Sequence, residues 1–271
     1  MQITDGNELL NLEDNEFIGE VPKMTNSQIN IKGNNNTIVC EESVNLWNSR
    51  IDFNGNNSIL YLSSNTFDYA VNISLNENNI CFIGKNNFFN GITTIVLSES
   101  KNVIIGSDCM FSYEVSLRVA DVHLIYHTKT KERLNHSKSI YVGDHVWLGQ
   151  NALILKGTQI GSGAIIGANS VLSNKTVPSN TTFAGSPARL TKEDTFWIGY
   201  SVHPWSEETT EQYSKFESED FVYTPDENTL CIEKIESNLN GMSDHEDVIF
   251  YIVGNLLNSS KNRFFIKQPK D

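Results

Sequence analysis

From Val142 to Val177, aliphatic residues recur at every sixth position, and the residue four places after each one is small or β-branched. The aliphatic positions are Val142, Leu148, Ile154, Ile160, Ile166 and Leu172, and their partners are Val146, Ala152, Thr158, Ala164, Ser170 and Thr176. A strand alternates every two residues and an α-helix turns every 3.6, so neither repeats at six. A six-residue period with turn-permissive residues is typical of a short strand and a tight corner, stacked repeatedly. Since three such units form one coil, these 36 residues predict two coils of a β-solenoid.

The first half of the chain repeats less regularly. Three segments, at 31–40, 53–62 and 75–84, each place an Asn-rich corner before an apolar strand. Asn tolerates the left-handed backbone conformation of a sharp corner, and its amide can bond to the equivalent Asn of the next coil. The strand residues Ile38, Ile59 and Ile80 are 21 positions apart. This fixed spacing favours irregular solenoid coils over a low-complexity polar loop.

The six-residue pattern has one interruption. It begins at Ile105, stops after Leu117 and resumes near Ile140. We therefore predict a charged loop at 124–139 that is extruded from the solenoid wall. Loops on a rigid scaffold often carry function.

The patterns divide the chain into three parts. We predict an N-terminal lead-in over 1–28, a β-solenoid domain over 29–190 and a C-terminal extension over 191–271. The solenoid pattern weakens after Leu172 and ends in the segment 184–190.

Within the extension, we expect a short helix in 191–205 that closes the solenoid, an acidic solvated linker over 206–227, and two further helices. The first of these uses Ile232, Ile235 and Leu239 on one face. The second is expected to begin at Ser243, with Glu246 completing a capping box. Its apolar stripe consists of Ile249, Ile252, Val253 and Leu256. These helices would form a small appended lobe or an interface element.

The composition narrows the possible partners and compartment. The net charge of −13 argues against nucleic acid and against an anionic membrane surface. Residues 206–227 contain eight acids and one Lys, so they contribute −7 of that charge. No segment approaches the roughly 18 apolar residues that cross a bilayer. The first twenty residues resemble no signal peptide, and the four scattered Cys residues suggest free thiols, with Cys109 as core filler. We expect a cytoplasmic protein.

Several segments resemble the hexapeptide-repeat acyltransferases, and most closely those that O-acetylate sugars, including capsular polysaccharide and polysialic acid. The resemblance rests on the repeats and on DVH at 121–123, GDHVWLG at 143–149, IIGANSVLSNK at 165–175 and AGSPARL at 184–190. It covers residues 100–192 and does not extend over 206–271. It implies a mainly β fold, a left-handed parallel β-helix with a small C-terminal helical addition. It also implies a homotrimer that transfers an acetyl group from acetyl-CoA.

The resemblance implies that His123 is the general base. A neutral alcohol is a poor nucleophile, and an imidazole, with an ordinary pKa of about 6.5, is suited to remove its proton. In the resembled enzymes a His precedes the Trp of a VWxG motif by 24 residues, the spacing of His123 and Trp147. The resemblance places Trp147 beside the thioester and the backbone N–H of Gln150 at the developing oxyanion.

The resemblance also implies a coenzyme A site. Its candidate residues are Gly149, Ala168, Asn169, Ser170, Lys175 and Arg189. The usual Thr-Lys pair is replaced here by Ser173-Asn174, and Lys175 comes one place later. Because of this departure, the resemblance alone does not assign the contact with the 3′-phosphate of coenzyme A to Lys175.

The extruded loop concentrates positive charge. It contains Lys129, Lys131, Arg133 and Lys138, and Arg118 lies nearby in sequence. A basic loop on an acidic protein either binds an acidic sugar such as sialic acid or is simply solvated. Asp121 either orients the base or the acceptor, or caps a turn. We take Asp121, Arg118, Lys129 and Arg133 as the candidate acceptor contacts.

Other functions remain open at this point. His145 is expected to be an exposed corner residue. A three-His zinc site would need a third ligand in phase with His123 and His145, and none falls there, so no metal is expected. The favoured function is O-acetylation of a bacterial capsular polysaccharide, and the favoured acceptor is a polymer that contains sialic acid. The alternatives are an amino-sugar-nucleotide N-acetyltransferase, an antibiotic acetyltransferase, and a non-enzymatic solenoid binding module.

Overall fold

Three β-sheets form the walls of a prism, and most turns of the chain add one strand to each wall. The computed structural model describes residues 1–227, 229–257 and 262–268. Sheet A consists of β1 (Gln2–Ile3), β4 (Gln28–Ile31), β7 (Arg50–Phe53), β9 (Val71–Leu75), β12 (Thr93–Val96), β15 (Ser116–Arg118), β18 (Leu153–Leu155) and β21 (Val171–Leu172). Sheet B consists of β2 (Glu16–Gly19), β5 (Thr37–Cys40), β8 (Ile59–Leu62), β10 (Ile80–Ile83), β13 (Val103–Ile105), β16 (Ile140–Val142), β19 (Gln159–Ile160) and β22 (Thr176–Val177).

Sheet C is shorter than the other two walls. It consists of β11 (Phe88–Phe89), β14 (Met110–Phe111), β17 (Trp147–Leu148), β20 (Ile165–Ile166), β23 (Thr182–Gly185) and β24 (Ala188–Lys192). Two further strands, β3 (Lys23–Thr25) and β6 (Asn45–Trp47), pair with each other. Neighbouring strands are parallel except β1 with β4 and β23 with β24. The predicted parallel β-helix is confirmed.

The six-residue pattern fills the inside of the prism. All six aliphatic positions from Val142 to Leu172 are fully buried, and so are their partners from Val146 to Ser170. The last predicted partner, Thr176, is exposed, because it lies in the final coil where the pattern weakens. The inward residues of successive coils form one continuous apolar core.

The Asn-rich corners behave as predicted. Asn35, Asn57 and Asn78 all adopt positive φ values, between 51° and 58°. The amide of Asn35 donates to the side-chain oxygen of Asn57 in the next coil, at 2.8 Å. Asn therefore supplies both the corner conformation and a bond between coils.

The coils begin earlier than the predicted boundary at residue 29. Strand β2 pairs in parallel with β5, so residues 16–19 already belong to the first coil. A short 3₁₀ helix, Gly6–Asn11, buries Leu9 against the core and closes this end of the prism. Most of the predicted lead-in is therefore part of the β-helix.

The other end of the prism is closed by a hairpin instead of the expected helix. Strand β24 turns back antiparallel onto β23, and residues 193–205 contain no helix. The prediction of a capping helix was wrong, because the chain after Pro187 continues to pair as a strand. A short helix, α1 (Glu207–Gln212), lies instead in the predicted linker, where Ser206 caps its N-terminus.

Two helices follow near the C-terminus. Helix α2 (Ile232–Gly241) buries the predicted face of Ile232, Ile235 and Leu239. Helix α3 (His245–Tyr251) continues into π-helical turns at Ile252–Leu257. None of the helices in the described ranges is long and apolar enough to cross a membrane.

The second helix differs in detail from its prediction. Its N-cap is Asp244, whose carboxylate accepts from the Glu246 N–H at 2.8 Å, and not Ser243. Its buried stripe is Val248, Ile252 and Leu256, and Val253 is exposed.

The C-terminal helices cover the outer face of sheet B. Outward residues of this sheet, such as Phe82, Ile104 and Tyr141, form a second apolar cluster with α2 and the turns after α3. Strands that are buried on both faces are apolar at nearly every position, and β8, β10 and β13 have this composition, as does β5 after Thr37. The helices therefore belong to the main body and are not a separate lobe.

A buried ion pair joins the C-terminal segment to the prism. Arg263 Nη1 lies 2.5 Å from Asp144 Oδ1, and their side chains are only 2% and 5% exposed. The guanidinium also donates to the carbonyl of Leu256 at 2.6 Å. The Asp144 carboxylate accepts from the backbone N–H of Ser107 at 2.7 Å. This arrangement ties the end of the helical segment to a corner of the β-helix.

Removal of this ion pair should destabilise the folded protein. Arg263→Met leaves the Asp144 carboxylate buried without its cation, so we expect the free energy of unfolding to fall by about 3–5 kcal/mol. Denaturant titration measures this change. The control is Lys215→Met, which removes an ion pair with Glu217 whose side chains are both 79% exposed, and it should change stability by less than about 0.5 kcal/mol. Equal midpoints for wild type and Arg263→Met would show that the pair does not stabilise the fold.

Candidate functional site

Two edges of the prism hold the residues singled out in the sequence. At edge CA the chain passes from sheet C to sheet A, through corners at 149–152 and 167–170. At edge AB it passes from sheet A to sheet B, through 119–139, 156–158 and 173–175. Sheet A lies between the two edges.

The corners at edge CA stack closely on each other. The Gly149 N–H donates to the carbonyl of Ile166 at 2.8 Å, and a Cβ at Gly149 would lie 2.6 Å from the amide nitrogen of Ala168. Asn169, at φ 55°, donates its N–H to the Gln150 carbonyl at 2.8 Å. Four of the candidate donor residues, Gly149 and 168–170, therefore lie together along one edge.

The top of edge CA is formed by the final hairpin. The buried hydroxyl of Ser170 accepts from the Gly185 N–H at 3.1 Å and so holds the hairpin against the edge. Arg189 lies opposite Ala184 in this hairpin and is exposed. Its guanidinium provides a positive charge near the stacked corners.

Trp147 lies on sheet C just before edge CA. Its indole is 38% exposed, and Nε1 donates to Ser112 Oγ at 3.1 Å. Three residues later, Gln150 is exposed, and no acceptor within the described residues bonds to its backbone N–H. The Trp147 indole and the backbone N–H of Gln150 are thus close together on the surface.

The candidate base lies at edge AB. Residues 119–139, here called the arm, leave the prism after β15 and return at β16. Lys156 Nζ bonds to Asp121 Oδ2 at 2.6 Å, and Lys138 Nζ bonds to Asn174 Oδ1 at 2.7 Å. Lys175 also belongs to edge AB, away from the other candidate donor residues.

The two halves of the candidate site are therefore separated within one chain. From Asn151 to Lys156 the chain crosses sheet A, a span of about 16 Å at 3.3 Å per residue. His123 follows the anchored Asp121 by two residues, at most about 7 Å of chain. Trp147 lies beyond the far edge, on another wall. A single chain does not bring His123 and Trp147 together.

Two candidate acceptor residues are engaged in ion pairs. Arg133 donates to both carboxylate oxygens of Glu99, at 2.8 and 2.9 Å. This hydrogen bonding and that from Ser137 lower the pKa of Glu99 to about 2. Hydrogen bonding from Lys156 likewise lowers the pKa of Asp121. Arg118 and Lys129 are exposed, so they present their charges to solvent.

An aromatic cluster that the sequence patterns did not predict lies next to Trp147. Trp197 lies with its ring centroid 6.0 Å from that of Trp147. His145 is stacked between Trp197 at 4.0 Å and Phe221 at 4.6 Å, and is only 6% exposed. The prediction that His145 is exposed was wrong, because residues after the solenoid fold back over sheet C. The aromatic residues in 196–200 were the available signal.

This cluster borders a cleft of about 570 Å³. Its walls include Phe88 and Met110 of sheet C, together with Trp197 and Phe221. Within the cluster, Trp197 Nε1 donates to the His145 carbonyl at 2.9 Å, and a second bond joins His145 Nε2 and the Trp197 carbonyl at 3.0 Å. Burial lowers the pKa of His145.

Three of the four cysteines lack the environment of nucleophiles. Cys40, Cys81 and Cys109 are buried free thiols, and burial raises the pKa of Cys40 and of Cys81 to about 12. Cys109 packs in the core as predicted.

Comparison with known proteins identifies the class. The family model for "Bacterial transferase hexapeptide (six repeats)" matches residues 139–174. The crystal structure of the polysialic acid O-acetyltransferase OatWY aligns with a TM-score of 0.57 and 30% identity, over 70% of this chain and 93% of that one. The chain belongs to the hexapeptide-repeat acyltransferases.

Two further relatives are more specific. A polysialic acid O-acetyltransferase of Neisseria meningitidis is 53% identical over 90 residues, which are 33% of this chain. The match spans 42% of that relative's length, so the chain covers less than half of it. The crystal structure of NeuO, a polySia-specific acetyltransferase, aligns with a TM-score of 0.63 and 28% identity, over 74% of this chain and 93% of that one.

The His145 cluster makes stability depend on pH. Since the folded pKa is below the ordinary value of about 6.5, the unfolded chain binds more protons, and stability should fall as pH drops through 6.5. We expect His145→Phe to show a smaller loss between pH 8 and pH 5 in thermal unfolding. His203→Phe, which changes an exposed histidine of the same segment, should keep the wild-type dependence. Identical slopes for wild type and His145→Phe would contradict the prediction.

Proposed function

We propose that this chain is an acetyl-CoA-dependent O-acetyltransferase that modifies a hydroxyl of a sialic-acid polymer in a bacterial capsule. The observation that carries the proposal is the similarity to the polysialic acid O-acetyltransferase OatWY, which extends over 93% of that chain. The 53% identity to the Neisseria meningitidis enzyme supports the same acceptor class. Acetyl-CoA is a cytoplasmic metabolite, so we place the reaction in the cytoplasm.

The proposed reaction is direct transfer in a ternary complex. The His123 imidazole removes the proton of the acceptor hydroxyl while its oxygen attacks the thioester carbonyl. The backbone N–H of Gln150 donates to the resulting oxyanion, and Trp147 shapes the pocket around the acetyl group. Collapse of the tetrahedral intermediate breaks the carbon–sulfur bond. The departing thiolate takes the proton from the imidazolium, which restores the neutral base.

The donor site is proposed along edge CA. The backbone of Gly149 and of 168–170 would contact pantetheine, and the exposed Arg189 would attract a phosphate group. The available N–H of Gln150 and the exposed corners at Ala168 and Asn169 support this assignment. Lys175, at edge AB, would reach the same donor only from a neighbouring chain.

The separation of the two edges supports a homotrimer. A ring of three prisms brings edge AB of one chain against edge CA of the next, and the interface closes on itself. Each active site would then combine His123 from one chain with Trp147 and Gln150 from its neighbour.

The acceptor would be held by the arm. Lys129 and Lys131 are exposed near its tip, and Arg118 is exposed at its base. These charges suit a polyanionic glycan on a protein whose net charge is −13. Arg133 and Asp121 would act through the arm's structure instead of through direct contact.

The central test removes the base. His123→Ala should lower kcat about 10²–10⁴-fold, because no other group would take the hydroxyl proton. The assay follows radiolabelled acetyl-CoA into a sialic-acid polymer, a neutral capsular glycan, an amino-sugar nucleotide and an aminoglycoside. His136→Ala, an exposed histidine of the same arm, is the matched control and should keep wild-type turnover.

Each alternative has its own signature in that experiment. Transfer to the nucleotide or the aminoglycoside alone would favour an N-acetyltransferase or an antibiotic acetyltransferase. Absence of coenzyme A binding in calorimetry would favour a non-enzymatic module. Normal turnover by His123→Ala would refute the mechanism.

The shared site predicts complementation. His123→Ala and Trp147→Ala chains, each impaired alone, should form active sites when co-expressed, because each contributes an intact edge. With random assembly about a quarter of the sites contain both intact edges, so activity should recover to about a quarter of wild type.

The matched control pairs His123→Ala with a chain that carries both substitutions, and it should show no recovery. Mixed trimers purified through two different tags make the comparison direct. Mixed trimers of the two single variants with no recovered activity would show that each site lies within one chain.

A further inference from the structure

The arm has almost no apolar core to hold its shape. Val122, Leu124, Ile125, Tyr126 and Leu134 are all more than half exposed. Its two halves run antiparallel, with an isolated bridge between Tyr126 and Arg133. Since apolar packing contributes little here, polar contacts must determine where residue 123 lies.

Asn135 is the centre of these contacts. It is only 6% exposed. Its amide Nδ2 donates to the His123 carbonyl at 2.7 Å, and its Oδ1 accepts from the Ile125 N–H at 2.9 Å. One side chain therefore bonds to the backbone on both sides of Leu124. No other amino acid of this size supplies a donor and an acceptor in this geometry.

Asn135 is in turn attached to the prism wall. Arg133 Nη2 donates to the Asn135 carbonyl at 3.3 Å. The same guanidinium makes the two-bond contact with Glu99, at the sheet A corner below the arm. The Ser137 hydroxyl also bonds to Glu99. The chain of contacts runs from the rigid β-helix through Glu99 and Arg133 to the backbone of His123.

We infer that Asn135 is a positioning residue, which fixes the backbone of His123 so that the imidazole meets the acceptor hydroxyl. The inference rests on the proposed function of His123. A displacement of about 1 Å at a reacting group can cost about 100-fold in rate, so the arm needs such a clamp. The Glu99–Arg133 pair serves the same purpose from one step further away.

The test separates positioning from folding. Asn135→Leu keeps the number and branching of the side-chain heavy atoms but removes the polar ones, and it should lower kcat about 10–100-fold. The KM for acetyl-CoA should stay at the wild-type value, because the bonds of Asn135 go to His123, Ile125 and Arg133 and not to the proposed donor residues. The thermal midpoint should also stay unchanged, since the arm contributes little to the core. Trypsin should cleave the arm at Lys129 and Lys131 faster than in wild type.

Three further variants complete the design. Asn135→Asp keeps the acceptor for the Ile125 N–H but loses the donor to His123, so its kcat should lie between those of wild type and Asn135→Leu. Glu99→Gln weakens the Arg133 contact and should give a smaller decrease, which also guards against misfolding of the first variant. Asn238→Leu changes an exposed Asn on α2 and should leave kcat unchanged.

The outcomes distinguish the two proposals. Wild-type kcat in Asn135→Leu, together with an inactive His123→Ala, would overturn the positioning role and leave the proposed function standing. A rise in the KM for acetyl-CoA together with a lower thermal midpoint in Asn135→Leu would show that Asn135 has a merely structural role. Normal turnover in His123→Ala would overturn both proposals.

Discussion

Hydrogen bonding between equivalent strands of successive coils is the constraint on which the rest of the structure depends. Each short strand has partners only in the coil before and the coil after, so the corners must bring the chain back into register within a few residues. Asn residues at positive φ and close glycine corners such as Gly149 make this possible. The aliphatic residues that point inward then stack into one continuous core.

This rigidity determines how the chain can perform chemistry. A stacked wall cannot bend to bring two distant edges together, and sheet A keeps edge AB about 16 Å from edge CA. The solutions open to such a scaffold are an extruded arm and a neighbouring copy. The arm carries His123 away from the wall, and its polar contacts through Asn135, Arg133 and Glu99 replace the core that it lacks. The proposed base and the proposed acceptor contacts therefore lie on a segment whose order depends on a few hydrogen bonds.

The C-terminal segment has a different role from the one that its sequence suggests. Helix α2 and the turns after α3 cover an apolar wall of sheet B, and the buried Arg263–Asp144 pair fixes their end. Trp197 and Phe221 stack on His145 and enclose it next to the candidate site. The acidic stretch 206–227, expected as a solvated linker, therefore contains residues that pack on the β-helix, such as Phe221 and the buried Tyr223.

The sequence alone determined the β-helix, its core positions, the Asn corners, the interrupted coil and the face of α2. Each of these produces, or interrupts, a periodic pattern of residues over a short stretch of the chain. It also pointed to His123 and Trp147, through their spacing and their resemblance to known motifs. Only the tertiary structure decided that β2 belongs to the first coil, that a hairpin closes the far end, and that His145 is buried. It likewise decided that Arg133 and Asp121 are engaged in ion pairs, and that His123 lies at edge AB whereas Trp147 lies beside edge CA. These features depend on contacts between residues far apart in the chain, such as Arg133 with Glu99 and His145 with Trp197, and no local period records such contacts.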